Sequence, residues 1–311
     1  MEHETAGTPM GGCKWSRKST RKIAQQLKRL HIKVSPRTVA KLLKDMDYSL
    51  RVNLKTIESG SRKPRDPIQR DKQFRYIKQQ CEAYAKRGLP IISVDAKSRE
   101  LIGPFFQKGS RWANGPTEVF DHDFRSDAKG IGVLYGIYDF CHNKGFVCVG
   151  TSRDTSEFAV DAIRNWWLKM GRYDFPGKDE LLMLADCGGS NSYRNRLWKY
   201  QLQVALCDKT GLKVRVCHYP AGASKWNPIE HRMFSFISIN WAGQPLESYG
   251  TMLNYIRTTK TDTGLRIRAQ LNPKKYETKI KISDDKMASV KLKQYRVNPT
   301  WNYSITPHVT S

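Results

Sequence analysis

The run Ile91-Ile92-Ser93-Val94-Asp95 is apolar, rich in β-branched residues, and ends on a carboxylate. Entered through Gly88 and Pro90, it reads as a strand of the fully buried kind, covering 91–96. A second run, Leu181-Leu182-Met183-Leu184-Ala185-Asp186, ends in the same way. A carboxylate carried on a buried strand is costly to desolvate unless a partner or a metal neutralises it. A third acid, Glu230, stands just inside a helix opened by Asn227-Pro228. Two strand ends and one helix start point to a single shared, metal-binding site.

The chain around these runs alternates in a regular order. Residues 133–140 and 146–151 form two more strands, joined by the turn His142-Asn143-Lys144-Gly145. Thr155 or Ser156 caps a helix reaching Gly171, with Phe158, Ala162, Ile163, Trp166 and Trp167 as its apolar side. A helix over about 191–209 follows the strand 181–186. Strand five covers 214–218, and the last helix runs from Pro228 to about Trp241. The order β-β-β-α-β-α-β-α predicts an α/β domain over 89–243, antiparallel at first and parallel after. Gly188 and Gly189 permit a sharp exit from strand four or a close approach of a DNA backbone, with Ser190 or Asn191 capping the helix after it. Asp139 reads as a turn former, and Asp154 and Glu157 as helix-start residues.

Residues 1–15 read as a loose leader. Within 16–50, Ile23, Ala24, Leu27 and Leu30 give one helical stripe, and Ser35-Pro36 opens a second helix with Val39, Leu42, Leu43 and Met46 as its apolar face. Two short helices with a tight connection and outward bases predict a helix-turn-helix contacting DNA, with Arg21, Lys22, Arg37, Lys41 and Lys44 as candidate phosphate ligands. A linker and one helix fill 51–88. Residues 244–311 read as a helix at 246–258 and a basic extension from Lys274 to Lys293.

The whole chain has 54 Lys and Arg against 29 Asp and Glu, a net charge of +25. Solubility needs far less, so a polyanionic partner is expected, nucleic acid first. No apolar run approaches the ~20 residues of a membrane span, and the start lacks the parts of a signal peptide. Seven Cys without a C-x-x-C pair fit reduced thiols in a cytoplasmic protein and argue against structural zinc.

Three strings belong together: Ile92-Ser93-Val94-Asp95, Ala185-Asp186-Cys187-Gly188-Gly189-Ser190-Asn191, and Ser224-Lys225-Trp226-Asn227-Pro228-Ile229-Glu230-His231-Arg232. With Tyr135-Gly136-Ile137-Tyr138-Asp139 and Thr261-Asp262-Thr263-Gly264-Leu265, they resemble the DDE transposases of the Rhodopirellula-type insertion-sequence family, distantly mariner-like, from about Glu4 to about Pro307. The resemblance implies a ribonuclease-H-like catalytic domain in which Asp95, Asp186 and Glu230 are catalytic and hold Mg²⁺ or Mn²⁺, two ions about 3.5–4 Å apart. Asp95 would bridge both, Asp186 hold one and Glu230 the other. It further implies double-stranded DNA as partner, as element ends and as target, and a homo-oligomer that pairs the ends. Water would free a 3′-OH at the element end, and that 3′-OH would attack target DNA. Lys225, Trp226 and Arg232 are candidate DNA contacts beside Glu230; Trp226 is equally a core residue. Cys187 stands where the family has Gly. The family also carries further helices ahead of this segment, so a truncated copy or partial reading frame is expected. A structure-selective nuclease or resolvase of the same fold, and a catalytically idle DNA-binding remnant, stay open as alternatives.

Overall fold

The computed structural model describes residues 5–6, 15–16, 19–46, 48, 66–223 and 226–308. The chain divides into two compact units, Met1–Lys55 and Thr56–Ser311. In the first, Thr5–Ala6 pairs with Trp15–Ser16, and two helices follow. Helix α1 (Thr20–Arg29) is capped by Ser19, whose Oγ accepts from Lys22 N at 3.3 Å. Helix α2 (Pro36–Asp45) is capped by Ser35 and carries Pro36 in its first turn. They pack through Ile23, Ala24 and Val39, with Leu27, Val34 and Leu43 at the margin. The apolar face expected of α2 is only partly used, because Leu42 and Met46 stay exposed, as do Leu30 and Ile32. Two helices have one seam between them and bury one stripe each. Most of the expected linker, 51–65, lies outside the described residues.

The second unit is mixed α/β, built on one nine-stranded sheet. Helix α3 (Pro67–Lys86) starts at Asp66, whose Oδ1 accepts from Ile68 N and Gln69 N. Then come β1 (Ile91–Ala96), a short β2 (Glu100–Ile102), β3 (Gly130–Asp139) and β4 (Lys144–Gly150). Helix α4 (Ser156–Trp166) is capped by Thr155 and runs on through a π-helical segment, Trp167–Gly171. Strand β5 (Glu180–Ala185) leads to α5 (Arg196–Gln201) and its own π continuation, Leu202–Cys207. Strand β6 (Lys213–His218) is followed by a π turn, Glu230–Phe234, and α6 (Ser235–Asn240). Helix α7 (Tyr249–Thr258), β7 (Arg266–Asn272), a short α8 (Asp284–Ala288), β8 (Leu292–Gln294) and β9 (Asn302–Ile305) complete it.

The sheet order is β8-β9-β6-β5-β1-β3-β4-β7, with β2 beside β3. Strands β1, β5 and β6 are mutually parallel, and β3 is antiparallel to β1 and β4. Alternate residues serve opposite faces. On β5, Leu181, Met183 and Ala185 face α4 and α5, whereas Leu182 and Leu184 face α3. On β3, Val133, Tyr135 and Ile137 join the first layer, and Leu134 and Tyr138 pack with α6 and α7.

Two expectations are corrected here. Residues 244–311 are not an extension of the sheet domain but part of it: β7 pairs parallel to β4 on one edge, and β9 pairs antiparallel to β6 near the other. Buried Ile267, Ala269, Tyr303 and Ile305 hold them there, so the basic residues of β7 are only its outward half. The helix expected from about 191 starts at Arg196. Residues Gly189–Asn191 form a 3₁₀ turn instead, and Asn195, not Ser190 or Asn191, is the cap, accepting from Leu197 N at 3.0 Å.

Candidate active site

Strands β1 and β5 are parallel neighbours with Val94 opposite Ala185. The next residue on each is a carboxylate, Asp95 and Asp186, so the two emerge side by side about one strand spacing, ~4.8 Å, apart in backbone. Asp95 is buried, 7% exposed. Its Oδ1 accepts from Ala96 N at 2.8 Å and its Oδ2 from Asn227 Nδ2 at 3.3 Å. Asp186 Oδ1 accepts from Gly188 N at 3.2 Å, which folds the loop back over the strand end.

Glu230 reaches this row because of Gly136, which pairs with Asp95 across β3. A Cβ at Gly136 would meet Met233 Cε and the Phe234 ring at 2.6 Å. Glycine therefore lets the π turn that begins at Glu230 lie directly on the sheet beside Asp95. The turn is anchored by Asn227, which is fully buried. Its amide accepts from the Ser93 hydroxyl and donates to Asp95, and Glu230 N returns to its carbonyl at 3.1 Å.

The three carboxylates share one electrostatic environment. Burial pushes Asp95 up to about 8, and the charges of Asp186 and Glu230 add to that. Burial also lifts Asp186 to about 6, with Glu230 and Asp154 adding and the Gly188 amide opposing. Glu230 is raised by burial and pulled back by Lys97 and His231. Asp95 and Asp186 line a cleft of about 280 Å³ with Lys97, Arg99 and Asp154. Lys97 pairs with Glu100 at 2.7 Å and lies over the Trp241 ring.

Behind Asp186 stands a buried chain of hydrogen bonds. His218 Nδ1 lies 2.8 Å from the Asp186 carbonyl, and its Nε2 lies 3.1 Å from the Tyr303 hydroxyl. Trp198 Nε1 donates to that hydroxyl at 2.9 Å. Burial lowers His218 to about 4. The neutral ring therefore donates from Nδ1 and accepts at Nε2, and every member is satisfied.

Among the sequence candidates, Lys225 lies outside the described residues. Trp226 is 58% exposed, edge-on to Phe74, so it is not a core residue. Arg232 is exposed and sits over the Phe140 ring, beside the start of β1. Arg21, Lys22, Arg37, Lys41 and Lys44 are all exposed on α1 and α2. The Cys187 thiol donates to the Tyr219 carbonyl at 2.8 Å. Asn227, Lys97, Arg99 and Asp154 escaped the sequence reading. Lys97 and Arg99 directly follow Asp95, and that closeness is the signal that was there to use. Thr155 caps α4 as expected, accepting from Phe158 N, with Asp154 directly ahead of it.

Among the described residues, the one set of three metal-ligand side chains within 4.8 Å of one another is Asp139, His142 and Asp174. Its acids already have partners: Lys144 Nζ lies 2.6 Å from Asp174, and His142 Nδ1 2.8 Å from Asp139. Asp139 also accepts from Cys141 N, as a turn former does.

Solved structures similar to this chain include the Mos1 transposase paired-end complex with left transposon end, at 15% identity and a TM-score of 0.42, covering 77% of this chain and 65% of that one. The Mos1 mariner paired end complex with Mn has 14% identity, a TM-score of 0.44 and coverage of 77% and 65%. The pre-cleavage Mos1 transpososome has 14%, 0.44, 77% and 66%. The chain thus spans just under two thirds of the length of these proteins. No curated protein sequence matches it. The family model described as Rhodopirellula transposase DDE domain matches residues 1–307, and the chain belongs to that family.

Proposed function

We propose that the protein is a DNA transposase, a metal-dependent polynucleotidyl transferase that cuts DNA at the ends of its element and joins the freed 3′-OH to a target. The observation that carries this reading is the convergence of Asp95, Asp186 and Glu230 from two adjacent parallel strands and a close-packed turn, where beyond burial the charges of Asp186 and Glu230 raise Asp95 and that of Glu230 raises Asp186. The sheet is read as ribonuclease-H-like, since β4-β3-β1-β5-β6 forms its centre with helices on both faces.

The donor set fits divalent cations. It consists of hard carboxylate oxygens that repel one another, in a cleft where Asp154 Oδ1 and Ser190 Oγ are buried with no hydrogen-bond partner. Asp95, Asp186 and Glu230 would hold Mg²⁺ or Mn²⁺. Three carboxylates offer up to six donor oxygens, enough to share between two ions. Bound there, such ions make an attacking oxygen nucleophilic and stabilise a leaving one. The protein's own contribution is positional. Asn227 fixes the Asp95 carboxylate, the His218 chain fixes the Asp186 loop, and Lys97 and Arg99 give the cleft a cationic wall for the phosphodiester.

Arg21, Lys22, Arg37, Lys41 and Lys44 are read as phosphate contacts of a helix-turn-helix, and the exposed Trp226 as a stacking platform for a base. Lys225 and Arg232 would add charge near Glu230. Synapsis of two ends implies a homo-oligomer on DNA, at the nucleoid. No described helix is long and apolar enough to cross a membrane.

The test uses linear DNA carrying the terminal repeats that flank the reading frame, a target plasmid, and Mg²⁺. The expected result is end cleavage followed by joined product, both lost in Asp95→Asn, Asp186→Asn and Glu230→Gln. Cleavage without joining under all conditions favours the nuclease or resolvase reading. Binding without cleavage favours the DNA-binding remnant.

A further inference from the structure

Asp154 lies between β4 and α4, directly ahead of Thr155, which caps the helix as expected. Its Oδ1 is buried without a hydrogen-bond partner. A buried, unsatisfied carboxylate oxygen costs on the order of 1–3 kcal/mol or more, so it needs a reason to be there. Ser190, only 6% exposed, presents a second buried oxygen on the wall of the same cleft; it makes no hydrogen bond of normal geometry, yet stands near enough to Asp154 to lower that carboxyl's affinity for a proton. Asp154, Ser190, Asp95 and Asp186 line that cleft together. Two unsatisfied oxygens facing two paired strand-end carboxylates form an incomplete coordination environment.

Two further observations place Asp154 in the site. The buried Tyr135 hydroxyl is raised by its burial first and then by the charges of Asp95, Asp154 and Asp186 together, and it donates to Asn191 Oδ1 at 2.6 Å. Asp186 feels both Glu230 and Asp154, whereas Asp154 is moved mainly by its own burial, then by Ser190 and Arg99. Asp186 is thus common to two carboxylate neighbourhoods, one shared with Glu230 and one with Asp154. Gly188 and Gly189 run beside the second one at ordinary van der Waals distance. A Cβ at Gly188 would come within 3.6 Å of Asp186 Oδ2, and one at Gly189 within 3.9 Å of Asp154 Oδ2. Gly189 also has φ +59, a left-handed conformation that glycine adopts at little cost.

We propose that Asp154 is a fourth carboxylate of the cation cleft, acting with Asp186 on a divalent ion directly or through its water, with the Ser190 hydroxyl bonded to that water. The inference rests on the reading of Asp95, Asp186 and Glu230 as cation ligands. Its role is to set cation affinity at that position, not to take part in proton transfer.

The experiment is Mn²⁺ binding to the full chain without DNA, followed by the loss of the free-ion electron paramagnetic resonance signal. Wild type, Asp154→Asn, Ser190→Ala and Asp95→Asn are compared, each first shown to melt cooperatively in EDTA. Removing an outer carboxylate partner of a metal site typically weakens binding about 10–100-fold. The expectation is at least tenfold weaker Mn²⁺ binding in Asp154→Asn, with a several-fold loss in Ser190→Ala. Unchanged affinity in Asp154→Asn, alongside lost binding in Asp95→Asn, overturns the role of Asp154 and leaves the three-carboxylate site standing. Identical Mn²⁺ titrations of wild type and Asp95→Asn overturn both.

Discussion

Replacing Asp95 by Asn should make the metal-free protein more stable at neutral pH, although it removes the residue placed at the centre of catalysis. Folding carries the Asp95 carboxyl from an ordinary value of 3.8 up to about 8. A group whose affinity for protons rises on folding contributes most below its unfolded value and loses that contribution as pH rises through the folded one. The window therefore runs from about 4 to about 8. At 1.36 kcal/mol per unit, the penalty at pH 7 has a ceiling of roughly 4 kcal/mol. Asn keeps the shape and sheds that penalty, but its amide meets the Asn227 amide, which forfeits one hydrogen bond of about 1 kcal/mol. The net gain is about 2–3 kcal/mol, or about 5 °C in Tm for a unit of this size. The assay is differential scanning fluorimetry at pH 5, 7 and 8, in EDTA and in Mn²⁺. Wild type should lose stability from pH 5 to 8 in EDTA and regain it in Mn²⁺. Asp95→Asn should lose less and respond weakly to the ion. A variant less stable than wild type at pH 8 in EDTA, or one with a full Mn²⁺ response, would refute the reasoning.

Three further outcomes are expected. Asn227→Ala leaves Ser93 Oγ and Asp95 Oδ2 without their buried partner, so urea unfolding should show a loss of about 2–4 kcal/mol, and a loss under 1 kcal/mol would argue against the anchor. Gly136→Ala puts a methyl into Met233 and Phe234, which should cost about 1–3 kcal/mol; Phe234→Leu should recover part of it in a double-mutant cycle, and strict additivity would contradict the packing account. Tyr303→Phe strips a bond each from buried His218 Nε2 and Trp198 Nε1; stability should fall by about 1–3 kcal/mol, and Mn²⁺ affinity should fall with it, which a purely structural role for Tyr303 would not require.

The centre of the fold was legible because β1 and β5 are short apolar runs, each with a carboxylate at its end. The edges were not. Strand β7, Arg266-Ile267-Arg268-Ala269-Gln270-Leu271-Asn272, alternates as a half-buried strand should, but its bases made it read as tail. Its partner β4 is over a hundred residues away in sequence, and local pattern carries no trace of such pairings. The π segments at Trp167, Leu202 and Glu230 were hidden too, since one inserted residue changes the direction of a helix face without changing its composition. Asn227 and Asp154 were each assigned a local job, helix opening or helix start. Their partners, Ser93 and Asp95 for one and the cleft for the other, come from distant segments. The three acids stood out because each sits in its own strong local signal. The residues packed around them did not.

The bond from Tyr303 to His218 gives the order of synthesis a physical meaning. All three acids leave the ribosome well before β9 does, yet the His218 ring bonded to the Asp186 carbonyl has its Nε2 partner, the Tyr303 hydroxyl, on β9. A nascent or interrupted chain ending near residue 290 would present the carboxylates without their brace, next to the nucleic acid of the cell that is making it. Competence to cut would then arrive last, with the final strand. Chains stopped at 290 should show rapid proteolysis around 186–190 that full-length protein resists; equal protection in both would remove this timing.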